Sequence, residues 1–306
     1  MPRIHYAAIT LGSNSFNMLV ACSHKKSPQI IAKYKRKVRL ADGVDLSENL
    51  TDQAIINGLD CLAMFAQMLR KHRIDSQHIT VIATATLRNA NNTAEFNAKA
   101  ELILGVPINV ISGLQEAKLI YQGMIAHSKV KGRNLVIDIG GASTEFIIGD
   151  GNKILYKSSL PFGCVTFTHR FFTKMPYPLS PFTDVLAEVK SILSEPLSTL
   201  QKLGWQNTLG ASGSVQSVIE ILNYRNMPAV ITEANLDMLR NEIISATDDS
   251  LSSIQGLTSE RAPTFAAGIA ILLALFNELE IKTLKLSGGA LREGVLLELA
   301  SKVDKL

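Results

Sequence analysis

The sequence is short of the features that classify a chain quickly. Its three cysteines, Cys22, Cys61 and Cys164, stand far apart with no C-x-x-C pair and no histidine-rich neighbourhood. That excludes a disulfide framework or zinc module legible from spacing, and leaves them as small buried hydrophobes. No long hydrophobic run is present: "AAGIAILLALF" at 266–276 is too short to span a bilayer and reads as a buried helix. The opening "MPRIHYAAITLGS" has no apolar core of signal-peptide length, so the expected setting is cytoplasmic, without membrane contact. Excess charge of one sign is also missing. A net charge of +4 does not imply nucleic acid, though positive charge gathered locally would suit an anionic substrate. Neither a P-loop, an H-E-x-x-H motif nor a His-Asp metal dyad occurs, so a site for metal and phosphate would have to rest on carboxylates.

What remains, 46% hydrophobic and 19% charged without low-complexity segments, is the composition of a folded α/β protein, and 306 residues suggest two domains. Two stretches stand out. "AAITLGSNSF" at 7–16 and "VIDIGGASTE" at 136–145 both run from a strand into a glycine turn and out into another strand. Setting Gly12 on Gly140 puts Thr10 on Asp138, Ser15 on Ser143 and Asn17 on Glu145, while "ISG" at 111–113 falls on "LSG" at 286–288. An internal duplication explains these matches. Periodicity predicts three strands in meander order, then a helix over 51–72 with Ile55, Leu59, Leu62, Phe65 and Leu69 on one face. A strand follows, entering a helix that runs on through 93–103, and then a strand and helix over 106–127. The second half repeats the order with a larger insertion. Two βββαβαβα halves resemble the duplicated ribonuclease H-like architecture of the actin-like ATPase and sugar kinase superfamily. That likeness implies a cleft that binds phosphates between two glycine hairpins. The expected domains are 1–122 and 123–306, with the last helix packing back on the first.

Turns rich in Gly, Ser and Thr leave backbone N–H groups open to phosphate oxygens, which is one reading of Gly12, Ser13, Asn14 and Ser15 and of Gly140, Gly141, Ser143 and Thr144. A plain hairpin turn accounts for one such motif, but two at equivalent positions favour the cradle. Asp138, at a strand end, suits a hard cation, and Glu145 is either its neighbour or an exposed strand acid. Ser112-x-x-Gln115 fits a capping box, placing Glu116 in a first helical turn where the dipole favours negative charge. Such an acid needs no catalysis, yet the same carboxylate can deprotonate water for attack on a terminal phosphate. Arg88 is a phosphate clamp or an exposed helix arginine, and Arg261 and Arg292 have similar standing. The basic run Lys33, Lys35, Arg36, Lys37 and Arg39 either tracks a polyanion or guards an edge strand.

Taken together, "LGSNSFNMLVA", "KRKVRLADG", "TATLRNANN", "ISGLQEAKLIYQG", "VIDIGGASTEFIIG", "LGASGS" and "LSGGALREG" resemble the exopolyphosphatase / guanosine pentaphosphate phosphohydrolase family, in its order and over almost the whole chain. The resemblance implies a metal-dependent phosphohydrolase that removes terminal phosphate from inorganic polyphosphate, guanosine pentaphosphate or both. It also implies Mg2+ as cofactor, with Mn2+ as a substitute and K+ as a further ion. By the same match Glu116 takes the place of the catalytic base and Arg88 that of the phosphate-contacting arginine. Asp138 and Glu145 take the metal positions; apart from the match, Gly213 and Arg261 are expected to join the two turns as phosphate contacts. Guanosine penta- or tetraphosphate and polyphosphate are the expected partners, nucleic acid is not, and a homodimer is left open. Two departures matter: Thr10 stands where the family has Asp, and "GGGST" has become "GGAST" with Ala142. A hydroxyl brings no negative charge to a metal, so weaker magnesium binding or turnover is expected. Longer members append a helical C-terminal region beyond the place where this chain ends at "SKVDKL", so part of the surface for long polyphosphate and for dimers is expected to be absent. A catalytically weak sensor is the alternative. An actin-like ATPase or sugar kinase follows from fold alone, and a serine hydrolase on "GASGS" lacks the second glycine of its motif.

Overall fold

The computed structural model describes residues 4–24, 27–128, 130–247 and 250–303. It divides into two compact units, Met1–His127 with Gly289–Leu306, and Ser128–Gly288. The division falls after a helix that runs unbroken across position 122, and the last helix counts with the first unit.

Unit 1 opens with β1 (His5–Leu11), β2 (Ser15–His24) and β3 (Ser27–Lys37) as an antiparallel meander. α1 (Asp52–Lys71) starts where the Thr51 hydroxyl accepts the Ala54 amide at 3.3 Å, and it buries Ile55, Leu62, Phe65 and Leu69. Full burial of such side chains is worth about 1.5–3 kcal/mol each. Then come β4 (Ile79–Ala83), α2 (Ala85–Asn89), α3 (Thr93–Leu104), β5 (Ile108–Val110) and α4 (Gly113–His127). Strand order is β3-β2-β1-β4-β5, with β4 and β5 parallel to β1. Alternation along β1 splits the core: Ala7, Ile9 and Leu11 join α1 and α3 on one face, while Tyr6 and Ala8 join Leu119 of α4 on the other.

The continuous helix expected from the "TLRNANN" segment through 103 is two helices. Asn91 donates its side-chain amide to the Ser47 carbonyl at 2.8 Å, and Asn92 exchanges two bonds with the Leu50 backbone at 2.8 and 2.9 Å. Asparagine amides that find backbone partners elsewhere interrupt a helix in this way.

Unit 2 repeats the plan with β6 (Arg133–Ile139), β7 (Thr144–Asp150) and β8 (Lys153–Leu160), followed by α5 (Cys164–Phe171) and α6 (Ser180–Leu203). After these come β9 (Asn207–Ala211), α7 (Ser212–Tyr224), α8 (Glu233–Ser245), α9 (Phe265–Glu278) and β10 (Lys285–Leu286). Its strand order, β10-β9-β6-β7-β8, is that of unit 1 read from the other edge. The apolar run at 266–276 lies in α9, buried along most of its length. α10 (Leu291–Val303) belongs to unit 1 and places Val295, Leu296 and Leu299 against Tyr6, Ala8 and Leu119. Among the described residues no helix is long and apolar enough to cross a membrane, and the three cysteines are buried and form no disulfide.

Candidate functional site

The two glycine hairpins are built by one hydrogen-bond scheme. Gly12 donates its amide to the Ser15 carbonyl at 3.1 Å, and Gly140 donates to Ser143 at 2.9 Å. In the first turn the Ser13 and Asn14 carbonyls accept from Ala41 and Arg39, at the 3-10 turn Leu40–Gly43. In the second, Gly140 accepts from Cys164 and Gly141 from Val165 and Thr166, the first amides of α5. The turn carbonyls are thus taken up by the next helical element. Among the described residues the amides of Ser13, Asn14, Gly141 and Ala142 have no acceptor, the condition for an anion cradle. Gly163 permits the second arrangement, because a Cβ there would lie 2.5 Å from the Gly141 carbonyl carbon and 2.6 Å from the Ala142 nitrogen.

Across the strands behind each turn, the duplication continues residue by residue. Thr10 is paired with Asn17 between β1 and β2, and Asp138 with Glu145 between β6 and β7. Cross-strand partners share a face with Cβ atoms about 4.5–5.5 Å apart, so unit 2 carries two carboxylates side by side where unit 1 carries two neutral groups. Asp138 and Glu145 are buried, and the Ser159 hydroxyl donates to Glu145 Oε1 at 2.7 Å. Thr144 also stays inside, its hydroxyl donating to the Phe162 carbonyl at 2.8 Å. Among the described residues no set of three or more His, Cys, Asp and Glu could hold a metal ion. Two hard carboxylates still fit magnesium, which keeps several waters and takes one or two protein oxygens.

Glu116 sits in the first turn of α4, buried, with Ser112 as the cap: the Ser112 hydroxyl accepts the Gln115 amide at 3.2 Å. Arg88, in the last turn of α2, donates through Nη1 to the Ile111 carbonyl at 2.7 Å and lies 3.5 Å from Glu116 Oε2. The two residues singled out for catalysis are therefore neighbours within unit 1. In unit 2, Arg261 rests against the start of α7, where a Cβ on Gly213 would lie 3.0 Å from its Nη1, and it reaches Glu220 at 3.5 Å. Ser212, with a left-handed φ of 68°, donates its hydroxyl to the Ile139 carbonyl and fixes that helix start beside the Gly140 turn.

The remaining basic candidates have plainer places. Arg292 is held by Glu293 at 2.7 Å. Lys33, Lys35 and Arg36 are exposed on β3, an edge strand, as expected of charges that guard an edge. Sequence reasoning missed Ser159 and Gly163. Ser159 is reached only through the β7–β8 register and Gly163 only through packing on the second turn, so neither leaves a local signal.

Comparison with known proteins adds independent findings. Residues 19–303 match the profile of a family described as the Ppx/GppA phosphatase family. The chain is 46% identical over 294 residues to the guanosine-5'-triphosphate,3'-diphosphate pyrophosphatase of Vibrio cholerae, covering 96% of this chain and 59% of that protein. It is likewise 46% identical over 298 residues to the Vibrio vulnificus protein of that name, covering 97% and 60%. The chain thus spans about three-fifths of the length of these curated relatives. Among solved structures it resembles an exopolyphosphatase from Cytophaga hutchinsonii, with a TM-score of 0.88 at 23% identity over 97% of this chain and 98% of that one. It also resembles the Aquifex aeolicus member of the Ppx/GppA family, with a TM-score of 0.79 at 24% identity over 99% of each. At those identities the likeness speaks to the fold, which is the duplicated ribonuclease H-like α/β architecture.

Proposed function

The chain belongs to the Ppx/GppA phosphatase family, and from that premise we propose that it is a phosphohydrolase releasing the terminal phosphate of guanosine pentaphosphate, with inorganic polyphosphate as a second substrate. The observation that carries this reading is buried Glu116 beside Arg88, 3.5 Å away on a separate helix. Glu116 takes a proton from water, whose oxygen bonds to the terminal phosphorus. The bond from that phosphorus to its bridging oxygen breaks, and the shortened chain leaves with the electron pair. General-base assistance of this kind contributes about 10²–10⁴-fold. Arg88, anchored on the Ile111 carbonyl, orients Glu116 and offers its other N–H groups to phosphate oxygens. Within unit 1 the open amides of the Gly12–Ser15 turn are further phosphate contacts, and within unit 2 the open amides of the Gly140–Ser143 turn, Arg261 and the α7 start at Gly213 offer contacts of the same kind. Asp138 and Glu145 would hold a magnesium ion, with manganese an acceptable hard substitute, and the bound ion offsets phosphate charge. The names of the Vibrio relatives support the nucleotide as the favoured substrate.

The test is phosphate release from guanosine pentaphosphate and from polyphosphate, with magnesium, by the wild-type chain and by Glu116→Gln. We expect release from the nucleotide and a fall of about 10²–10⁴-fold in the variant with substrate binding retained. Tight nucleotide binding with negligible release, unchanged by Glu116→Gln, would overturn the hydrolase. It would favour a second reading, a sensor of guanosine tetra- or pentaphosphate, for which the neutral Thr10–Asn17 pair is the specific motive.

A further inference from the structure

We infer that Ser159 is a positioning residue for the Glu145 carboxylate, fixing it for a divalent cation held together with Asp138; the inference rests on the metal role proposed for those two acids. Asp138, Glu145 and Ser159 are successive cross-strand partners on β6, β7 and β8, so the three side chains form one row on one face of the sheet. Ser159 donates to Glu145 Oε1 at 2.7 Å, a well-formed O–H···O bond. That bond engages one carboxylate oxygen and restrains a side chain with three rotatable bonds. Glu145 is 1% exposed, so bulk water contributes little to orienting it. The corresponding place in unit 1, opposite Asn17, is held by Lys35. A lysine in the unit 2 row would place a positive charge beside the acids and compete with any cation. A serine hydroxyl orients the carboxylate without adding charge, as expected of a group that supports a metal ligand.

The experiment is Mn2+ binding, followed by the loss of the free-ion electron paramagnetic resonance signal, for wild type, Ser159→Ala, Ser159→Thr and Glu145→Gln. Thermal melts check that each variant is folded. Removing the hydroxyl is expected to weaken Mn2+ binding about 10–100-fold, with threonine restoring it to within about 3-fold. In phosphate release the half-saturating Mg2+ should rise by a similar factor in Ser159→Ala, while the rate at saturating Mg2+ stays within about 2-fold of wild type. Ser159→Cys, which keeps the volume and weakens the donor, carries the test if the alanine variant does not fold. Mn2+ binding lost in Glu145→Gln but unchanged in Ser159→Ala and Ser159→Cys would overturn the inference, leaving Ser159 as a partner that merely satisfies a buried acid. Unchanged binding in Glu145→Gln as well would overturn the metal role itself, and the inference with it.

Discussion

In unit 1 the row behind the glycine turn reads Thr10, Asn17, Lys35; in unit 2 the equivalent row reads Asp138, Glu145, Ser159. The strand order, the amide-to-carbonyl bond that closes each turn and the capture of turn carbonyls by the next helical element are common to both. Shared backbone and divergent side chains separate what the fold requires from what it leaves free. Both hairpins keep glycine at the turn, while the row behind it carries Thr10 with Asn17 in one unit and Asp138 with Glu145 in the other. Charge in the row is then free to differ, neutral to cationic in unit 1 and anionic in unit 2, so that taken by itself the first row suits an anion and the second a cation.

The largest effect should come from removing that asymmetry. Asp138→Asn should lower phosphate release roughly 10²–10³-fold, since a metal contributes several kcal/mol of charge stabilisation. Thr10→Asn, at the matching place, should change release by no more than about 3-fold. Comparable losses in the two variants, measured at saturating magnesium, would mean that the rows are functionally alike. Thr10→Asp sharpens the contrast from the other side: a carboxylate there should lower the half-saturating magnesium concentration up to about 10-fold if the neutral row limits metal binding. No change in the magnesium titration would count against that limit.

Next in size is a difference in tolerance to a methyl group. A Cβ on Gly163 would collide with backbone at 2.5–2.6 Å, whereas one on Gly12 would meet a single oxygen at 3.0 Å. Gly163→Ala should therefore destabilise the protein by about 1–3 kcal/mol, read as a drop in Tm, and Gly12→Ala by less. A Gly12→Ala penalty equal to or above that of Gly163→Ala would show that the turns are not held by the backbone packing described.

Much of this was legible in the sequence because it is local. Aligning the glycine turns placed Thr10 with Asp138 and Asn17 with Glu145, and the strand registers agree, pairing Thr10 with Asn17 in one unit and Asp138 with Glu145 in the other. Helix positions such as Leu62 and Phe65 were visible as a 3.6-residue pattern. The break between α2 and α3 was not, because Asn91 and Asn92 bond to Ser47 and Leu50, more than forty residues earlier. Ser159 and Gly163 were hidden for the same reason, since each acquires its role from a segment to which sequence spacing gives no pointer.

The smallest expected difference between the units is in their response to pH. In unit 1, His72 accepts or donates a 2.8 Å bond with the Tyr34 hydroxyl, and its pKa lies below the ordinary 6.5 because of burial first, then the charges of Lys71 and His5. The folded state then holds fewer protons than the unfolded chain at mildly acid pH. The stability tied to His72 is present above pH 6.5 and is lost as pH falls from that value through the lowered one. In unit 2, burial raises the Tyr177 pKa above its ordinary 10.0, so its contribution is present below pH 10.0 and is lost as pH rises through the raised value. Melting temperatures taken across both ranges should therefore show a shallower acid-side decline for His72→Gln and a shallower alkaline-side decline for Tyr177→Phe. Slopes identical to wild type in both variants would remove these two groups from the pH response of either unit.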